Sequence, residues 1–404
     1  MNGFLTALDS EYIIDGIKME LTPRQILDEA TGAGVRDADV DAARLEPIVD
    51  ESVDPSPDSV EFDSGRIQEY LRHVRKSAGL QRSIPAFFPV EATRAEIART
   101  LTDTLWKDGH FRLDDIVLDI EWVWNTGPVG NMASFYKSVE AACSYLDALG
   151  IRLSGYRFTS TSGRCMINVS AGVEAIHSDD DSGPLDIAET IDRDILNVPD
   201  MNPALPQYEL PFRTENPVLG DDVKCAKHVS ADRADWLIYI PFDTCKLRLG
   251  GSLLAEAEGV SGGKAPETED SDYFIDCFEV VREFVEDGVT VSGVSVGPGG
   301  LICALDSLAG DGGIDADMSC VMYSYCEKDM VKVLFSEVPG VIIEIKDGDF
   351  DYVDAEMLLQ DVAYYPIGHP GKKGLGLTQN GSGSLAGIMQ SLICQVGSAP
   401  EGED

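Results

Sequence analysis

Apolar and polar positions along the chain set out a series of alternating helices and strands. Residues 91–106 place Ala95, Ile97, Ala98, Leu101, Leu105 and Trp106 at close to helical spacing. In "DIVLDIEWVWN" apolar and acidic residues alternate over Ile116–Trp124, which predicts a strand with one wet face. "NMASFYKSVEAACSYLDALG" predicts a helix ended by Gly150, and "IRLSGYRFTSTS" and "CMINVSAGVEAI" predict two further strands. The second half opens with a fully apolar strand, "DWLIYIPFD", then a Gly-Gly turn into the helix of "KLRLGGSLLAEAEG". "DSDYFIDCFEVVREFVEDG" predicts an amphipathic helix stopped by Gly288, followed by the strand "VTVSGVSVG" and the helix "LICALDSLAG". Beyond it come a helix end and a turn at Pro339-Gly340, the strand "GVIIEI", and helix, strand and turn through "DAEMLLQDVAYYPIGHPG". Strands alternating with helices in both halves predict two α/β or α+β layers.

The flanking segments follow another pattern. Residues 1–62 are acidic and read as a largely disordered tail, with one weak helix at "TPRQILDEA" where Thr22 caps and Pro23 takes the first turn. Residues 64–80, "SGRIQEYLRHVRKSAGL", form a basic island that predicts a helix presenting a partner surface. The expected domains are 63–195 and 196–375, divided near the Pro-rich "VPDMNPALPQ", and 376–404 reads as a Gly/Ser-rich acidic tail.

Composition narrows the function. A chain of 404 residues with net charge -40 has room for two cores, and its field repels nucleic acid and anionic membrane. No apolar run reaches the length of a membrane span and no secretory leader is evident, so a cytoplasmic protein is expected. Nine scattered cysteines without a C-x-x-C pair read as reduced thiols rather than a zinc site. The five histidines share no spacing, "HSDDDSG" reads as a solvated acidic loop rather than a calcium site, and "GSGS" reads as tail rather than nucleophile.

Two turns carry candidate chemistry: Gly250, Gly251 and Ser252 before one helix, and Gly299 and Gly300 before another. Backbone N–H groups at a helix start can hold a phosphate, although Gly-Gly before a helix is also a close-packing device.

Taken together, "LRLGGSLLAEAEGVSGG", "FEVVREFVEDGVTVSGVSVGPGGLICALDSLAGDGGIDADM", "VLFSEVPGVIIEI", "GH" at Gly368-His369, "ARTLTDTLW" and "DIEWVWNTGPVGNMASFYKSVEAACSYLDALGI" resemble one family. It is phosphoribosylformylglycinamidine synthase, in its second PurM-like (aminoimidazole ribonucleotide synthetase-like) unit. The resemblance runs from about Thr93 to Gly371. It implies a small α/β N-terminal domain whose sheet pairs with another unit in a shared barrel, an α+β C-terminal domain, and nucleotide in the cleft between them. The family's G-K-D-S-x-S-M stretch falls on residues 156–162, so its Lys becomes Arg157 and its Asp becomes Phe158, followed by Thr159. The H-D-x-S-D-G-G-L turn falls on residues 294–301, with Ser295 and Pro298 at both Asp positions. In the E-A-L-T-N helix Arg99 takes the Glu position and Asp103 the Asn position, while Asp119 and Glu121 read as a solvated face.

Phosphoryl transfer needs divalent metal held by hard oxygen ligands, and this set has lost most of them. The expectation is a catalytically inactive protein with neither metal nor cofactor, whose vestigial phosphate contacts are Arg157, Thr159, Gly250, Gly251, Ser252, Gly299 and Gly300. It would form a homodimer through an exposed apolar face of the N-terminal sheet, or a larger protein assembly. The resemblance extends to viral relatives that serve as virion or host-interaction proteins. The alternatives are a subunit of a split amidine synthase, or a nucleotide sensor holding ATP or ADP with Mg.

Overall fold

Residues 7–32, 45–56, 61–77, 83–173 and 217–378 are described by the computed structural model, and they carry two cores on either side of one sheet. The described residues of the acidic N-terminal segment include regular structure. β1 (Tyr12–Ile14), β2 (Ile17–Lys18), α1 (Pro23–Ala30) and β3 (Ile48–Asp50) include a small sheet of order β2-β1-β3. Here the expectation of a disordered tail fails. Tyr12, Ile14 and Leu27 are few and widely spaced among acids, yet all three are buried. The α1 start is as expected: Pro23 opens the helix, and Thr22 and Gln25 form a capping box.

α2 (Ile67–Ser77) is the basic helix. It packs on the C-terminal layer of its own chain through Tyr70, Leu71 and Val74, while Arg75 pairs with Asp306 and His73 with Glu258. Its partner surface is internal, and it lies with the second core rather than the first. α3 (Pro89–Thr104) leads through β4 (Lys107–His110) to β5 (Ile116–Trp124). α4 (Asn131–Ala148), β6 (Arg152–Ser160) and β7 (Met166–Val173) follow, giving a sheet of order β6-β5-β7. Ile116, Leu118, Ile120, Trp122 and Trp124 point into the core against α3 and α4. The next β-strand, β8 (Val218–Val223), pairs with β4. It had no counterpart in the sequence reading, since neither strand alternates cleanly. The Pro-rich boundary and the "HSDDDSG" loop lie outside the described residues.

The outer face of the β6-β5-β7 sheet is wet, as the β5 alternation predicts, and not the apolar pairing face that the resemblance implied. It carries Asp119 and Glu121 on β5, Arg157 and Thr159 on β6, and Asn168 and Ser170 on β7, joined by hydrogen bonds. It is a polar face, not an apolar one.

The second layer runs β9 (Trp236–Pro241), α5 (Leu253–Ala257), α6 (Ser271–Glu286), β10 (Thr290–Val296), α7 (Gly300–Ala309), β11 (Gly313–Asp317), α8 (Ser319–Ser324), α9 (Met330–Phe335), β12 (Gly340–Ile345), α10 (Phe350–Leu359), β13 (Tyr365–Pro370) and β14 (Gly374–Thr378). β14 extends the order β10-β12-β9-β13-β11-β14 into residues 376–378, which the sequence reading had assigned to the tail. β9 and β12 are buried on both faces. Trp236, Ile238, Ile240, Val341, Ile343 and Ile345 face the first core, and Leu237, Tyr239 and Ile342 the second. Burial on both sides is why β9 reads as an unbroken apolar run and β12 as one interrupted only by Glu344, itself buried against Ser230 and Ser292. The first core also takes in α6, so one continuous body of apolar side chains joins the two layers. Arg282 locks that junction. Fully buried, it donates to the carbonyls of Leu105, Lys107 and Gly109, pairs with Glu286 at 2.9 Å, and stacks 4.0 Å from the Phe111 ring.

Candidate nucleotide cleft

The two Gly-Gly turns are brought together. Gly299 and Gly300 both hold positive φ, +90° and +72°, and a Cβ on Gly300 would stand 2.7 Å from the backbone at the end of α9. Only glycine lets α7 begin that close to α9. Gly251 is also left-handed, and Ser252 caps α5 by accepting from Ala255 N.

Glu337 stands between the turns. Its side chain is 4% exposed, and its Oε1 accepts from Leu253 N at the start of α5 and from Gly299 N ahead of α7, each at 2.7 Å. The N–H groups that would cradle a phosphate therefore hold a carboxylate of the chain itself. That is the same electrostatic solution with an internal anion. The sequence reading passed over Glu337. Its signal was an acid in "FSEVPG", bracketed by apolar residues and hence due for burial.

The cleft beside Gly250 and Gly251 is narrow. Gly251 abuts the Phe88 ring, with 2.9 Å from a built Cβ to the ring edge, and the cavity volume is about 10 Å³. That is room for a single water, against several hundred Å³ for a nucleotide. Glu91 and Glu337 line it, and the lining includes no lysine or arginine. Cys303, next to Gly299, is no nucleophile here: burial first, then the nearby Glu337 and Asp306 carboxylates, push its thiol up to about 12.

The expected metal-ligand positions converge a short way off. Arg99 on α3 pairs with Glu96 and, at 2.7 Å, with Asp103. Its aliphatic stem crowds Gly297, 2.9 Å from a built Cβ. Ser295 accepts from Trp106 Nε1 at 2.9 Å and hydrogen-bonds Asp103. A guanidinium fills the centre of this group and consumes the carboxylates, so the donor set does not fit a magnesium ion. Among the described residues no cluster of three His, Cys, Asp or Glu is placed to hold a metal.

Arg157 and Thr159 lie elsewhere, on the polar sheet face. Arg157 pairs with Asp119 at 2.9 Å and Thr159 donates to Glu121 at 2.8 Å. Phe158 points the opposite way, 5.0 Å from Phe135 in the core. Strand alternation thus puts the expected Asp position inside and its two neighbours outside, and neither side reaches the turns. The eight described cysteines are free thiols, and among the described residues no helix is long and apolar enough to cross a membrane.

Comparison with known proteins points the same way as the motifs. No protein-family model matches the chain. It is similar to human phosphoribosylformylglycinamidine synthase, 24% identical over 293 residues, covering 71% of this chain and 19% of the human protein. A probable chloroplastic/mitochondrial phosphoribosylformylglycinamidine synthase of Arabidopsis thaliana is 31% identical over 135 residues, 33% of this chain and 9% of that one. The chain therefore matches about a fifth or less of these relatives' length. Among solved structures, T. maritima PurL complexed with FGAR superposes with a TM-score of 0.51 at 10% identity, over 78% of this chain and 48% of that one. The fold is PurM-like, and part of the chain is similar in sequence to phosphoribosylformylglycinamidine synthases.

Proposed function

We propose that this chain is a catalytically inactive PurM-like relative of a purine-biosynthesis enzyme, and that it works by assembling with itself or with a larger protein partner. One observation carries the reading: Glu337 already takes one backbone donor at the start of each helix that follows the Gly-Gly turns, Leu253 N and Gly299 N. A phosphate entering there would have to displace a buried carboxylate or sit against it, and both cost several kcal/mol, on the order of the charged-group desolvation penalty. Arg99 amid Glu96 and Asp103 supports the same conclusion for the metal.

The test is calorimetry of the full chain with ATP or ADP and Mg²⁺. No heat at millimolar nucleotide is expected. Micromolar binding would overturn the reading and favour a nucleotide sensor. A second reading is one unit of a larger amidine synthase, favoured by the match to only 19% of the human relative. Co-purification of an active synthase complex would establish it.

A further inference from the structure

A second concavity has the opposite character to the narrow cleft. It opens between the segment after β9, with Thr244, Lys246 and Arg248, and the α8–α9 stretch, with Ser324, Tyr325 and Lys332. Its volume is about 440 Å³, the size of a small-molecule site. The chain as a whole has 31 lysines and arginines against 71 acids, yet three cations and one acid, Glu327, line this pocket. With Glu267 paired on Arg248 the local balance is three cations to two acids, a small positive excess in a molecule of net charge -40.

The acids nearby are already engaged. Glu327 Oε1 accepts from Lys328 N at 2.9 Å and Asp329 N at 3.0 Å, and its Oε2 lies 3.6 Å from Lys332 Nζ. Glu267, half exposed, pairs with Arg248. Lys246 is exposed and makes no ion pair with a described residue. Both walls also offer hydroxyls, from Thr244 on one side and Ser324 and Tyr325 on the other. Burial holds the Tyr325 phenol well above its usual range, so it stays a neutral donor. The unpaired Lys246 ammonium, with Lys332 and Arg248 beside it each shared with one carboxylate, suits a dianion with several oxygens better than a flat carboxylate.

We propose that this pocket binds a small organic phosphate monoester. The site is separate from the Gly-Gly cleft and does not depend on whether the chain is catalytically inactive. The full chain is titrated with glycerol 3-phosphate while phosphorus NMR linewidth is followed, with succinate as the competing dicarboxylate. Saturable broadening is expected, weakening with salt as an exposed ionic contact must. Lys246→Glu and Lys332→Glu should each weaken binding roughly tenfold or more, with near-ultraviolet circular dichroism unchanged. Arg248→Lys, which keeps the charge and loses the fork, should weaken it less. Absence of saturable broadening at ~10 mM phosphate ester, a concentration that detects even millimolar affinity, would overturn the proposal. So would full binding by both charge-reversed variants, which would place the phosphate elsewhere, or equal competition by succinate, which would remove the phosphate assignment.

Discussion

At the scale of single residues, two carboxylates define how this molecule differs from a nucleotide-binding one. Glu337 is a buried anion with two backbone donors, and its truncation exposes both donors to an apolar surround. Glu337→Ala should therefore cost roughly 2–4 kcal/mol in urea unfolding, the penalty of two unsatisfied buried groups. A loss below about 1 kcal/mol would mean that water replaces the carboxylate at little cost. Glu279 on α6 acts through protons instead. Its carboxyl is pushed up to about 7, chiefly by burial, against the pull of Leu113 N–H at 2.9 Å and of Arg112. In the unfolded chain it titrates near 4.5. Between those values the folded state holds the proton more tightly, so its contribution is favourable at low pH and is lost as pH rises toward 7. Glu279→Gln should flatten that part of the stability–pH profile, with the variant gaining on the wild type as pH increases from about 5 to about 7.5. An unchanged slope would show that Arg112 keeps the group ionised throughout.

Elements show most clearly what a sequence discloses and what it hides. Strand β5 was legible because five apolar residues point inward at alternate positions, with Asp119 and Glu121 between the middle three. The helices ending before Gly150 and Gly288 were legible because both glycines adopt the left-handed conformation that stops a helix. β1 to β3 were hidden because two- and three-residue strands carry no period, and their acidic setting outweighed Tyr12 and Ile14. The long-range partners were hidden for a different reason: nothing local marks them. Asp50 on β3 shows this. Its carboxylate accepts from Gly130 N at 2.8 Å, Met132 N at 2.9 Å and Ala133 N at 3.0 Å, capping α4 from eighty residues upstream. The α4 N-cap residue, Gly130, has no side chain to do so. Asp50→Ala should lower stability by about 1–2 kcal/mol, as loss of a strong N-cap does, and Asp50→Asn should recover part of it. Chemical denaturation measures both. If the alanine variant matches wild type, the N-terminal sheet is held by Tyr12 and Leu27 packing alone.

On the scale of the whole molecule, charge governs both stability and any assembly. A net charge of -40 favours expansion, and ion pairs such as Arg75–Asp306 and the cross-layer Arg112–Glu286 offset only part of it. Fold class and charge could be read from sequence, because each is written in residue types. The wet face of β5 could be read too, from Asp119 and Glu121, but not what they bond to, because that depends on which strand lies beside which. Asp119 and Glu121 meet Arg157, Thr159 and Asn168 only through the β6-β5-β7 order. The hydrogen bonds from Asn168 and Thr159 hold the Glu121 carboxyl below its usual range, so this face keeps its negative charge to mildly acidic pH. Two copies meeting there would bring like charges together. Raising ionic strength from ~0.01 M to ~0.5 M shortens the screening length from about 30 Å to under 5 Å, and should both raise the thermal midpoint and strengthen self-association. Sedimentation velocity at the two salt concentrations reads the second effect. Association that weakens with salt would mean that complementary charges hold the copies together, and the basic residues of another surface would then have to supply the contact.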